Sequence, residues 1–198
     1  AVGSGALVAN TTGANNVAIG SSAMATDVYS NGTVAVGYQA LYTQNYGSAT
    51  DSHNTALGFA AGYAVTTGTS NTLVGSNSGK AVTNGANNVI VGYNAGDSVT
   101  TGHTNVIIGQ NAAQAQTTAI ENVLIGNNVA AALTTGQQNI IIGDNAGAGA
   151  AVTGNSNVIV GDNAGYTLTS GASNTFIGNA AGNQVTTANF ITGIGSGC

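Results

Sequence analysis

The chain has 198 residues, six of them acidic and one basic, Lys80, for a formal net charge of −5. Charged residues make up 4% of the sequence, against roughly 25% in ordinary soluble domains, so solubility must come from Asn, Thr, Ser and Gln. A single cation cannot neutralise phosphates or anionic headgroups, which excludes nucleic acid and membrane surfaces as electrostatic partners, and no run approaches the ~20 apolar residues of a spanning helix.

There are 31 glycines and no proline or tryptophan; such a chain turns often and visits positive φ at many places. Val, Ile, Leu and Ala recur at even spacing, which argues against disorder. The one cysteine, Cys198, permits no internal disulfide.

Followed along the chain, a glycine preceded by an aliphatic residue returns at Gly3, Gly20, Gly37, Gly58, Gly75, Gly92, Gly109, Gly126, Gly143, Gly161, Gly178 and Gly195. The spacing is 17 residues except for 21 between Gly37 and Gly58 and 18 between Gly143 and Gly161. Regular self-similarity of this length is the signature of a solenoid, and it covers residues 1–198 as one repeat domain, expected to be a segment of a longer fibrous protein.

Each unit has the same columns. Val, Ile or Leu precedes the glycine, as in Ile19, Val74 and Ile125, and Val, Ile or Thr stands three before it, as in Val89 and Val106. Four before it usually stands Asn, as in Asn54, Asn71, Asn88, Asn105, Asn122, Asn139, Asn157 and Asn174. A small-residue corner follows the glycine, then a second aliphatic (Val65, Val82, Val99, Leu133, Leu168, Val185), then a Thr-rich step to another Gly. Short β-branched runs bracketed by Gly and Asn read as strands between turns. Two short strands and two corners per unit give an all-β parallel β-solenoid, or β-roll, of about twelve 17-residue coils, a rod roughly 55 Å long. The Asn column is expected to stack as an amide ladder, and the two longer units to carry their extra residues at corners, because an insertion inside a strand would invert its faces.

Between the two outer positions of the strand lies a third apolar column: Ala18, Ala35 and Ala56, then Leu73, Ile90, Ile107, Leu124, Ile141, Ile159 and Phe176. With its neighbours facing the coil interior, alternation turns this column outward. Leu73, Ile90, Ile107, Leu124, Ile141, Ile159 and Phe176 then form an exposed stripe, too long for a monomer, that is expected to be a homo-oligomer interface with three chains around an axis.

Asn15-Asn16-Val17-Ala18-Ile19-Gly20 and its variants, Val34-Ala35-Val36-Gly37 and Asn54-Thr55-Ala56-Leu57-Gly58, resemble the repeat of trimeric autotransporter adhesin heads, and the array is similar to bacteriophage tail-fibre shafts. The resemblance implies a left-handed, homotrimeric β-roll at a cell or virion surface, structural and adhesive in role. The 17-residue period is longer than that of those heads, and the sequence has no basic neck segment or coiled-coil heptads.

Nothing in the pattern points to an enzyme, a cofactor or a metal site. His53 and His103 fall in different coils with no repeated partner and read as corner residues, and Gly147-Ala148-Gly149 lacks the Lys and helix of a phosphate loop. Asp144 and Asp162 share a column in adjacent coils, flanked there by Asn127 and Asn179; solvent screening accounts for such a pair more readily than a bound cation. Aromatics gather in two neighbouring coils and the longer insertion, at Tyr38, Tyr42, Tyr46, Phe59 and Tyr63. They are expected either to bind a glycan or host-surface protein or to stack into a rigidifying ladder. A self-assembling surface filament is the alternative function. An ice-binding face is less favoured, because adjacent threonine pairs point opposite ways on a strand.

Overall fold

The computed structural model describes all 198 residues and is an all-β parallel solenoid. Thirteen short strands follow one another: β1 (Val17–Ile19), β2 (Ser30–Asn31), β3 (Val34–Val36), β4 (Thr50–Asp51), β5 (Thr55–Leu57), β6 (Thr72–Val74), β7 (Val89–Val91), β8 (Val106–Ile108), β9 (Val123–Ile125), β10 (Ile140–Ile142), β11 (Val158–Val160), β12 (Thr175–Ile177) and β13 (Thr192–Ile194). Eleven of them form one parallel sheet in chain order, and β2 pairs with β4 beside it. Ten complete turns of chain connect the eleven strands, and Val2 adds a bridge to Ile19 at the first.

Register is uniform. Each strand residue sits on its equivalent one coil away, Ile90 on Ile107 and Ile107 on Leu124. The longer units obey the same rule: Ala35 pairs with Ala56 across the 21-residue spacing, and Ile141 with Ile159 across the 18-residue one. The extra residues are therefore outside the strands, where they cannot invert the faces.

A second strand in every coil is not formed. Only β2, in the coil before the 21-residue one, and β4, within it, supply one; elsewhere the second aliphatic column lies in tight turns. Those turns still bond coil to coil, as in Gly79 N to Ala95 O (2.9 Å), Gly96 N to Ala112 O (2.8 Å) and Thr66 N to Thr83 O (2.8 Å). The small-residue corners tighten the path too much for extended backbone, with Asn94, Asn145 and Asn163 each in the left-handed region that Asn tolerates better than most side chains.

The inward face of the sheet is the reverse of the one expected. Leu73, Ile90, Ile107, Leu124, Ile141, Ile159 and Phe176 are all fully buried, together with Ala18, Ala35 and Ala56. They form the chain's own core with Val65, Val82, Val99, Leu133 and Leu168, and so they are not an oligomer interface. The positions on either side of them point outward. The physical reason is parity: Asn four before the glycine and the middle residue two before it lie on the same side of an extended chain, and the Asn side chains are inside.

That inward Asn ladder runs unbroken from Asn54 to Asn174. Asn105 is representative: its backbone N and Nδ2 both donate to Asn88 Oδ1 (3.0 and 3.1 Å) and Nδ2 also donates to Ala119 O (2.9 Å). Its own Oδ1 accepts from Asn122 N and Nδ2 (3.1 and 3.3 Å). Every polar atom of a fully buried side chain is thus satisfied, the condition for placing amides in an apolar interior.

Core volume is balanced between two columns. Where the middle residue is Ala18 or Ala35, the residue four past the glycine is large, Met24 or Leu41; where it is Leu73, Ile90, Ile159 or Phe176, that position is Gly79, Gly96, Gly165 or Gly182. A Cβ on Gly182 would lie 2.5 Å from the Phe176 ring. Ala56, which is paired with Gly62, is the exception, and there Leu41 and Leu73 of the neighbouring coils fill the space.

The strand-ending glycines interlock more tightly still. Gly109 has φ 134°, and a Cβ there would lie 2.1 Å from Gly126 O in the next coil. Replacing Gly109 with Ala is expected to destabilise the protein by about 3 kcal/mol or more, through strain and displaced backbone. Asn105→Ala should cost about 2–4 kcal/mol, because it orphans buried groups on both neighbouring coils. Denaturant unfolding of each variant checks both, with a loss below about 1 kcal/mol counting against these assignments.

Candidate functional site

Three features of the stack hold chemistry or contact potential. The first is the outward face of the main sheet, formed by the first and third residues of its eleven strands. Eighteen of these twenty-two positions are Val, Ile or Leu and four are Thr (Thr55, Thr72, Thr175, Thr192), with no charged residue among them. Ile19 is 43% exposed, Leu57 49% and Ile140 41%. β-branched side chains suit an extended backbone whichever way they point, so strand propensity alone cannot say which column is wet.

The second feature is an aromatic corner beside that face. Tyr38 and Phe59, each one residue past its glycine, stack with centroids 5.3 Å apart and planes 17° from parallel. Tyr42 and Tyr63, each five past, stack at 5.3 Å and 3°. Twenty-one residues separate the partners of each pair, yet the corner insertion leaves them in one column. Tyr38 and Phe59 are about half exposed. The rings form a ladder and a surface at once, so four of the five aromatics expected to gather do so.

Tyr46 does not join them. It is 5% exposed, and its hydroxyl donates to Gly68 O (2.6 Å) and accepts from Asn54 Nδ2 (3.2 Å). Burial pushes the phenol up to about 12, with the hydrogen bond from Asn54 opposing the rise. Tyr46 closes the first rung of the amide ladder and is not a surface binding residue; its place in the inserted segment lets the ring fold inward.

The third feature is a buried polar column. Seven residues past the glycine, where later coils carry Val65, Val82 and Val99, the first coils carry Asn10, Asp27 and Gln44. A reading of this column from its aliphatic members alone overlooks them, although the spacing of 17 from Asn10 to Asp27 and from Asp27 to Gln44 puts them in the same column. Asp27, Ser30, Thr33, Gln44, Ser52 and Asn54 are all fully buried. Ser30 Oγ donates to Asp27 Oδ2 in a short contact, and Thr33 and Ser52 share another. Gln44 Nε2 lies 3.1 Å from Ser30 Oγ and 3.3 Å from Thr33 Oγ1, and Gln44 Oε1 accepts from Asn54 Nδ2 at 2.9 Å. Asp27 Oδ1 and Asn10 Nδ2 have no partner.

His53 and His103 are exposed corner residues and the structure brings neither to a partner that would activate it. The stacked acids are turned to amides: Asn127 Nδ2 donates to Asp144 Oδ1 (3.1 Å), and Asn179 and Asn163 donate to the two oxygens of Asp162 (3.3 and 2.9 Å). The chain encloses no cavity. No family model, curated protein or solved structure matches the chain.

Burial raises the pKa of Asp27 above its ordinary 3.8, against hydrogen bonds led by Ser30 that lower it. The folded state therefore holds this proton more tightly than the unfolded one, and stability falls as pH rises from 3.8 through the raised value. Thermal unfolding followed between pH 3 and 8 is expected to show this acid-side gain, and Asp27→Asn to remove that pH dependence. A melting temperature that climbs with pH in the wild type would contradict the assignment.

Proposed function

We propose that this chain is a structural and adhesive segment of an extracellular fibre, in which copies of the solenoid pack side by side through the outward aliphatic face. The observation that carries the reading is that face. Eleven strands at ~4.8 Å make it about 50 Å long and, two side chains wide, roughly 500 Å² of uncharged apolar surface. That is at the upper end of what monomers expose, and joining two such faces would bury on the order of 1,000 Å², the threshold of a specific interface.

Three chains around a shared axis, as in the adhesin heads and tail-fibre shafts the repeat resembles, bring the faces together and leave the corners outside. In that arrangement the Tyr38, Phe59, Tyr42 and Tyr63 corner flanks the bundle as a contact surface for a host glycan or protein. Half-exposed rings supply CH–π and hydrogen-bonding area at small entropic cost. The coil-to-coil bonding makes the rod stiff, which suits a spacer that presents a surface at its side.

Light scattering in dilute buffer is expected to give three times the 19.0 kDa chain mass. The double variant Val106→Asp, Ile108→Asp is expected to give monomer, because it puts charge on the outward face without touching the core. A wild-type monomer would overturn the bundle. Tyr38→Ala with Phe59→Ala should lower attachment to a glycan-bearing surface by roughly tenfold; unchanged attachment would assign the aromatics to the stack alone.

A further inference from the structure

The members of the polar column in the first coils stand in the order of an acyl-transfer site. A hydroxyl nucleophile, Ser30, donates to a carboxylate, Asp27. The side-chain amide of Gln44 lies against that hydroxyl, Nε2 to Oγ 3.1 Å. The carbonyl oxygen of the same amide accepts from Asn54 Nδ2 at 2.9 Å, where a developing oxyanion would be held. All four residues are fully buried, which keeps the water concentration at the site low and slows hydrolysis of a product.

We propose that Ser30 and Gln44 join in an intramolecular ester, with Asp27 as general base and acid. As Ser30 Oγ bonds to Gln44 Cδ, its proton passes to Asp27 Oδ2 and the carbonyl electron pair moves onto Oε1, where Asn54 donates to it. When that pair returns, the Cδ–Nε2 bond breaks and protonated Asp27 gives its proton to the departing nitrogen. The products are a Ser30–Gln44 ester and ammonia, with the carboxylate regenerated. No oxidant, metal or cofactor takes part, and the loss of ammonia from a buried site to bulk solvent draws the exchange forward.

Ser30 rather than Thr33 is the nucleophile. Both hydroxyls approach Nε2, at 3.1 and 3.3 Å, but Thr33 is in close contact with Ser52 Oγ, which is no base, whereas Ser30 contacts the carboxylate. Burial makes that carboxylate more basic than usual. The ester would tie β2 to the turn that leads into the inserted segment, bracing the one place where the Asn ladder is interrupted by Thr33 and where the aromatic corner projects.

Intact mass spectrometry of the folded protein tests this directly. The expected mass lies about 17 Da, one ammonia, below that of the sequence. Chymotryptic cleavage after Leu41 or Tyr42 should leave the Ser30 and Gln44 peptides linked. Ser30→Ala and Asp27→Asn are expected to restore the full sequence mass, while Thr33→Val keeps the deficit. A full-mass wild-type protein that is folded by circular dichroism overturns the proposal. So does a deficit that persists in Ser30→Ala, which would place the ammonia loss at an Asn-Gly step such as Asn31-Gly32.

Discussion

The structure depends on one constraint: every coil must lie in strict register on the next at the strand spacing. No single 17-residue unit can bury its own aliphatics. The buried Asn side chains enforce the register, because each amide reaches one coil back through Nδ2 to an Oδ1 and one coil forward through Nδ2 to a corner carbonyl, as Asn105 does with Asn88 and Ala119. A slip by one residue would bury the wrong side chains and break every rung at once. The strand-ending glycines enforce it from the other side, since backbone of the next coil occupies the space of their missing Cβ.

That constraint also shapes the surface. A parallel sheet whose inward parity is taken by Asn and one aliphatic must present its other two columns outward, and here those are Val, Ile and Leu with four threonines. Parallel sheets with apolar residues on both faces are ordinarily covered on both. A second layer of the same chain does not exist in this fold, so a single chain leaves this face open. The side-by-side packing proposed above rests on that open face.

The first coils depart from the pattern, and the departure is concentrated. Thr33 interrupts the Asn ladder, Asn10, Asp27 and Gln44 replace the second aliphatic column, and the inserted segment brings Tyr46 inside. The result is a cluster of buried hydroxyls, amides and one carboxylate where most later coils have branched aliphatics, Gln116 being a lone buried amide among them. Local conflict with the repeat on this scale marks a site rather than drift, since each buried polar group costs free energy unless paired. The aromatic corner sits over the same coils, so the surface most suited to contact is supported from beneath by the least typical stretch of core.

Repeat length, the position of the main strand, the Asn ladder, the corner placement of both insertions and the gathering of the aromatics were legible in the sequence, because each follows from periodicity and from what Gly, Asn and β-branched residues do locally. The second strand expected in every coil is not formed, because its column is held in tight turns. Which side of the strand faces in was decided by the tertiary structure. Val-Ile-Val has no polar member to betray its orientation, and only the corners fix it, by turning Asn54, Asn71 and their successors inward and carrying Leu73 and Ile90 with them. The same holds for Tyr46 and Asp27. Their residue types favour the surface, and only the closed path of the coil puts them inside, where neighbours one turn away supply the hydrogen bonds that water would have made.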